Sequence, residues 1–547
     1  MATHEVFNQP TPYGGDDLFR TDPTLVEAVE RWGAPTADVA RLGELAATAQ
    51  AAEWATQADT MVPVLRSHDA QGRRVDEVVY HPAYHELMTV AVGRGLTAEP
   101  WLATPGSGAH LARAAGFYVW SQVEAGHLCP ISMTYAAAPA LAGQPDVSAT
   151  WLRKLTARAY DPRLAPVQDK HGAIVGMGMT EKQGGSDVRA NTTSATADAA
   201  GPLGEHSHRL RGHKWFCSAP MSDAFLVLAQ ADEGLSCFLL PRVLPDGSRN
   251  AFAVQRLKDK LGNRANASSE VEFDGTWAVP VGPLGRGVRT IINMVAATRL
   301  DCVLGSAATM RAALVRAAHF TGQRSAFGEV LIEAPLMRNV LADLTLESEA
   351  ATLLAMRLAH AVGEGEGDFA RLAVALGKYW VCKRTAPMVA EALECLGGLG
   401  YVEENGMARL FREAPLNSIW EGSGNVNALD VLRAMTREPA SVAALAKEAA
   451  LARGVDRRLD AHIDAVESSA MTITGADAPL QARALVERLA VTLQASLLVR
   501  YAEPVVADAF IASRVAGERG ATFGTLPADL VRSAAPVLLA RTPAGRR

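Results

Sequence analysis

Apolar and polar positions alternate in three textures along the chain. Residues 1–170 read mainly as helix, broken at the loop-like stretches NQPTPYGGDD and TAEPWLATPGSG. From 171 the runs shorten to AIVGMGM, AFLVLAQA, SCFLLPRVL and SSEVEFDG, separated by Gly, Asn, Asp and Pro turns, which is the signature of consecutive strands. After about 284 the helical period returns: Val303, Ala307, Met310, Leu314 and Ala317 step by four and three along one face. Further helical segments follow around 334–363 and 369–396, and Pro439 marks a boundary before an Ala- and Leu-rich extension. The expected organisation is a helical domain (1–170), a β domain (171–283), a helical bundle (284–440) and a C-terminal helical domain (441–547), an α+β architecture. No GxGxxG follows a strand, so this is not a dinucleotide-binding α/β sheet.

Composition adds bounds. The chain has 547 residues, too many for one core, and its net charge of −6 advertises no polyanionic partner. The first residues, MATHEVFNQPTPYGGDD, lack the basic and apolar regions of a signal peptide, and no apolar run of membrane-spanning length is free of charge. Six scattered cysteines without a CxxC pair read as reduced thiols of a cytoplasmic protein. His81 and His85 lie four apart without a third ligand nearby, and His206 and His208 lie in a polar loop, so no metal site is expected.

Five segments carry candidate chemistry. NSIWEGSGN (417–425) places Glu421 between Trp420 and small, flexible residues. It reads either as a helix start capped by Ser423 or Asn425, with Glu421 at the positive end, or as a desolvated carboxylate base. MGMTEKQGGSD (177–187) ends a strand in a Gly-rich turn whose hydroxyls and amides suit a flavin edge or phosphate oxygens, or form a plain polar turn. GHKWFCS (212–218) is a strand, while RSAFG (324–328) and ECLGGLGY (394–401) end long helices, where Gly is expected anyway.

In this order and at these separations the segments resemble the acyl-CoA dehydrogenase family over about 170–437. MTEKQGGSD is similar to its TEPxAGSD segment, GHKWFCS to its GxKxWIT strand, KDKLGNRANASSEVEF to its KxGxRxSxxxxxxF run, RSAFG to its RxxFG sequence and NSIWEGSGN to its catalytic YEGT segment. FNQP, VEAGHLCPISMTYAAAP and the helical extension past 440 resemble the AidB branch, flavoproteins of the response to DNA alkylation that also bind duplex DNA. The resemblance implies bound FAD contacted by Thr180, Ser186, Phe216, Cys217 and Ser218, and by the loop containing Ile419, Trp420, Gly422, Ser423 and Asn425. It also implies that Arg324 and Phe327 serve a neighbouring protomer's FAD, that Gly397 and Gly398 admit its pyrophosphate, and that the protein is a homotetramer. Glu421 is then the base that takes the α-proton of an acyl-CoA thioester. Some relatives carry the base on the TRLD helix, where this chain has Thr298. Glu394 replaces a common Gln, and Trp420, bulkier than the usual Tyr, is expected to narrow the pocket.

Residues 441–547 hold 13 Lys and Arg against 11 Asp and Glu, less acidic than the rest of the chain. Arg457, Arg458, Arg514, Arg519, Arg532, Arg541, Arg546 and Arg547 are the candidate phosphate contacts for double-stranded DNA; the bland alternative is a solvated helix face. Two rivals stand beside the AidB-type reading. One is a metabolic short- or branched-chain acyl-CoA dehydrogenase whose tail serves only assembly, and the other a flavin-stabilised binding protein without turnover.

Overall fold

The structure is a computed structural model, and it describes residues 3–473 and 475–543. The chain forms two compact units. One comprises Gln50–Thr104 and Val123–Thr298, the other Met1–Ala49, Pro105–Gln122 and Arg299–Arg547. This division differs from the one expected from texture. Residues 1–170 are shared between the units, and 441–547 belongs to the same unit as the bundle before it.

The first unit begins with a hairpin that the helical reading of 1–170 missed, β1 (Val64–His68) and β2 (Arg74–Val79). Its strands are rich in Arg, His, Asp and Glu, so the period-two signal is weak. The helix Pro82–Gly93 follows, with Pro82 in its first turn and His81 as its N-cap, accepting from the Ala83 amide at 3.2 Å. Seven strands make the main sheet: β3 (Val175–Gly178), β4 (Ser194–Ala197), β5 (His208–Ser218), β6 (Ala224–Ala231), β7 (Gly234–Pro241), β8 (Phe252–Leu257) and β9 (Ser268–Pro280). Pairings run β6–β4–β5–β9–β7 and return from β7 to β6, so the strands close on themselves. Leu210, Phe225, Val227, Phe238, Leu240, Val254, Val271 and Phe273 fill one face of the sheet. Val175, Leu226, Leu228 and Leu239 on the other face pack with Tyr135, Leu141, Met294 and neighbouring helical residues. β6 reads AFLVLAQA without alternation because both of its faces are covered.

The second unit is helical. The helices Pro335–Gly363 and Gly367–Glu394 match the segments expected there, and the latter packs on Gly424–Arg437, Pro439–Ala450 and Ala478–Tyr501. Pro439 opens the helix Pro439–Ala450. Val303, Leu304, Met310 and Leu314, in the helix Gly287–Thr321, are fully buried. That helix contains a stretch apolar enough to span a membrane by length and composition, and protein covers most of it. A short hairpin, β10 (Ser325–Ala326) and β11 (Glu329–Val330), follows it.

Candidate active site

In the sheet unit, the 180–187 loop is organised from within. The Glu181 carboxylate is wholly buried and accepts from Lys214 Nζ at 2.8 Å, the Thr192 amide at 2.8 Å and the Thr193 amide at 3.2 Å. Burial by itself would raise its pKa. The hydrogen bonds from Lys214, Thr192 and Thr193 outweigh that and bring it down to about 2. Lys214 also donates to the Leu228 carbonyl at 2.7 Å, so the ammonium is satisfied inside the sheet. With Glu181 turned inward, Thr180 is left half-buried and Ser186 exposed. A Cβ on Gly185 would fall 2.4 Å from Thr180 Oγ1, so only glycine lets that hydroxyl keep its place.

Strand β5 carries the aromatic residues through a bulge. Lys214 pairs with Val271 and Cys217 with Ser269, so three steps on β5 face two on β9. Lys214 and Cys217 therefore both point inward, while Trp215 and Phe216 both face away from the core. Phe216 is 47% exposed. Lys258 Nζ lies 3.3 Å from the centre of the Trp215 ring and 4.7 Å from that of Phe216. Ser218 Oγ is 2.9 Å from Ser268 Oγ. Cys217 is a correction to the expected cofactor set. Its thiol is fully buried in the sheet core, and burial pushes its pKa up to about 12.

In the helical unit, the Glu421 loop is held by its carbonyls. Glu421 and Gly422 both have positive φ, +57° and +95°. Arg299 Nε donates to the Glu421 carbonyl at 3.1 Å, and buried Lys378 Nζ donates to the Gly422 carbonyl at 2.9 Å. Arg299 is fixed in turn by Asp430 at 2.7 Å, which Arg371 also binds. Asn427 Nδ2 closes the turn onto the Gly422 carbonyl at 2.6 Å. The helix Gly424–Arg437 starts at Ser423, whose side chain makes no capping bond, and no acidic residue lies in its first turn. The helix-start reading therefore does not explain Glu421. Its carboxylate acts on the Cys302 thiol, which burial above all, and then Lys378 and Glu421 with opposite signs, set well above its usual range. Trp420 is pinned by its indole N–H to Asn417 Oδ1 at 2.8 Å, while Ile419, Ser423 and Asn425 are exposed. Thr298 Oγ1 donates to the Val295 carbonyl at 3.1 Å and offers no carboxylate.

Gly397 and Gly398 lie on the surface after the helix that ends at Glu394. Gly397 has φ +58°, and a Cβ on either glycine would meet nothing within 4 Å. Their bareness serves no internal packing and leaves backbone open to a ligand; a Cβ on neighbouring Gly400 would instead strike the Leu393 carbonyl at 2.2 Å. Taken by themselves, Gly397 and Gly398 suit a pyrophosphate, and in the sheet unit the outward Phe216 and Ser218 and the loop hydroxyl of Thr180 suit a flavin, so each set fits its own part of FAD.

The tail arginines divide sharply. Arg514 is 2% exposed, ion-paired with Asp343 and with Glu347 at 3.1 Å, and so is not a phosphate contact. Arg541 is bound to Glu27 at 3.0 Å and Glu349 at 2.6 Å, and Arg458 is shared by Asp456 and Asp508. Arg519 is partly buried, and Arg532 is exposed beside Asp529. Arg457 is exposed, and Arg546 and Arg547 lie outside the described residues.

Family models cover most of the chain: the adaptive response protein AidB N-terminal domain over residues 8–162, the acyl-CoA dehydrogenase middle domain over 176–276 and its C-terminal domain over 285–436. AidB of Escherichia coli K12, assigned to the acyl-CoA dehydrogenases, is 48% identical over 465 residues, 84% of this chain and 85% of that protein. The chain belongs to the AidB branch of the acyl-CoA dehydrogenase family. It is accordingly an FAD-dependent oxidoreductase by family. Two solved structures share the fold at a TM-score of 0.84. Caenorhabditis elegans ACDH-11 in complex with C11-CoA is 26% identical and covers 97% of this chain and 95% of its own. The apo form of Bd2924 is 28% identical and covers 91% and 100%.

The residues that hold these loops were not singled out from sequence. Glu181 and Lys214 lie inside quoted motifs, but only three-dimensional pairing reveals them as one buried unit. Arg299 and Lys378 sit 122 and 44 residues from the carbonyls they bind. Arg299 falls within TRLD, the sole hint that sequence offered.

Proposed function

We propose that this flavoenzyme dehydrogenates an acyl-CoA thioester, with Glu421 as the base. Bound FAD supplies the hydride acceptor. Glu421 takes the α-proton of the thioester onto its carboxylate. Arg299 and Lys378 keep its backbone still, so that the carboxylate need not be oriented anew in each turnover. The observation that carries this reading is the left-handed loop clamped at two carbonyls, which fixes the backbone that bears the Glu421 carboxylate. Thr180, Ser186, Phe216 and Ser218, with Gly397, Gly398, Ser423 and Asn425, are the proposed FAD contacts. The substrate class is supported by the C11-CoA held by ACDH-11. Anaerobic bleaching of the flavin by a panel of acyl-CoAs tests it. No bleaching with any chain length would refute it.

Duplex DNA binding and a role in the alkylation response are the finer part of the proposal. They are supported by kinship with AidB and by the exposed Arg457. A homotetramer is supported by the wholly exposed Phe327 at the tip of the β10–β11 hairpin. Duplex affinity should fall with salt, by a slope of roughly −0.9 per phosphate neutralised. The internal pairing of Arg514 and Arg541 favours the rival in which the tail braces the bundle and the enzyme is metabolic. Salt-independent binding, or none, would decide for that rival.

A further inference from the structure

The β10–β11 hairpin is an improbable object to stand alone. Its turn is Phe327-Gly328, with φ of +54° and +90°, and only two residue pairs hold its strands. A two-residue turn of this kind wants Asn or Gly at its first position, and phenylalanine pays a steric cost there. The ring meanwhile is wholly exposed.

What stabilises it comes from the other end of the sequence. Asn8 lies 317 positions from Ser325, and the two exchange a reciprocal pair of hydrogen bonds. Asn8 Nδ2 donates to the Ser325 carbonyl at 2.8 Å, and the Ser325 amide donates to Asn8 Oδ1 at 2.7 Å. The side-chain amide thus imitates a neighbouring strand. The Asn8 carbonyl accepts from Arg324 Nη1 at 2.7 Å, which orients that guanidinium. Asn8 itself has φ +55°, a backbone state that asparagine tolerates better than other non-glycine residues. The segment after it is anchored along the end of the long helix. The Thr11 amide donates to Gln323 Oε1 at 2.9 Å, and Tyr13 packs edge-on to His319 with Arg316 over its ring.

We propose that residues 8–13 form a strap that positions the Arg324–Gly328 hairpin for cofactor binding, with Asn8 as its positioning residue. This rests on the reading that Arg324 and Phe327 serve the FAD of a neighbouring protomer. The strap itself touches no cofactor. It acts by holding Arg324 and the strained turn in the receptive conformation before FAD arrives, so that little ordering is left to offset binding. The segment belongs to the part of the chain matched by the AidB-type N-terminal model, and it lends that part a share in a site otherwise built from the dehydrogenase domains.

The test is a double-mutant cycle on the full-length protein, read as FAD affinity by fluorescence titration of apoprotein. Asn8→Ala should weaken FAD about tenfold, as expected for two ordinary hydrogen bonds. Asn8→Asp keeps the acceptor for the Ser325 amide and should fall between. Arg324→Ala should weaken FAD at least as much. The double variant should be no worse than Arg324→Ala, because Asn8 acts through the hairpin. The melting temperature of the apoprotein should stay at its wild-type value in Asn8→Ala. Wild-type FAD affinity in Asn8→Ala, with loss in Arg324→Ala, would overturn the strap and leave the hairpin's role standing. Wild-type affinity in both variants would overturn both. Additive losses in the double variant would also overturn the proposal, since Asn8 would then act elsewhere.

Discussion

Two glutamates sit in two glycine-containing loops of this chain, and the structure treats them in opposite ways. Glu181 is turned inward and spends its carboxylate on Lys214 and two backbone amides. The Glu421 loop is held instead through the carbonyls of Glu421 and Gly422 by Arg299 and Lys378. In the first loop the charge is the structural element, and the hydroxyls around it are left for a ligand. In the second the backbone carbonyls are the structural element, and the carboxylate is the proposed base. A carboxylate that accepts from Lys214, Gln183, the Thr192 hydroxyl and two backbone amides is a poor base, because those donors stabilise its charged form.

The largest expected effect is on the second loop. Glu421→Gln preserves shape but cannot accept a proton, and acyl-CoA-dependent flavin reduction should fall by roughly 10²- to 10⁴-fold. FAD content and melting temperature should hold. Loss of FAD with unchanged reduction rates would return Glu421 to a structural role and erase the contrast.

The mirror experiment is Glu181→Gln. It leaves the Lys214 ammonium buried without a counter-ion and should destabilise the sheet unit by about 3–5 kcal/mol, as breaking a buried pair typically does. Chemical denaturation measures it. A stable variant with slow flavin reduction would mean that Glu181, too, serves catalysis directly.

Acid should separate the two loops further. The folded pKa of Glu181 is about 2, below its ordinary value of 4.5, so its stabilising contribution is complete above 4.5 and is lost as pH falls through about 2. Denaturant midpoints taken between pH 6 and pH 2 should therefore decline below 4.5. In Glu181→Gln that part of the decline should vanish.

A smaller effect is expected from the clamp. Lys378→Met removes the donor to the Gly422 carbonyl, and misplacing the base should slow flavin reduction by about tenfold with little change in acyl-CoA affinity. A change in affinity alone would show that the clamp shapes substrate binding. Smallest of all, Arg457→Ala should weaken duplex binding modestly and reduce its salt slope by about one. Arg514→Ala should act on stability instead, because it takes the ion pair from buried Asp343 and leaves Glu347 with Arg384 alone.

How much of this was legible in the sequence differs by element. The strands from AIVGMGM to SSEVEFDG were readable because apolar runs between turn residues can do little else. The hairpin Val64–Val79 was not, since its charged side chains hide the period. Glu421 stands out through its neighbours in NSIWEGSGN, whereas the burial of the Cys217 thiol is invisible in GHKWFCS. Uninterrupted alternation cannot foresee the bulge that sends Trp215 and Phe216 outward together and the thiol inward. A count of the tail arginines is silent about which of them meet a carboxylate, and so does not separate paired Arg458, Arg514 and Arg541 from exposed Arg457.

Local pattern and side-chain chemistry were enough to fix the family and the kind of elements in their order, because both can be read from neighbouring residues. The packed fold set Glu181 against Lys214 and clamped the Glu421 loop through its carbonyls. It likewise decided that Arg514 and Arg541 hold the tail to the bundle, and that Asn8 braces a hairpin more than 300 residues away. Each of these outcomes depends on which polar groups meet when the chain closes on itself. A buried charge or amide must find its partner wherever the fold brings one, at whatever distance along the chain.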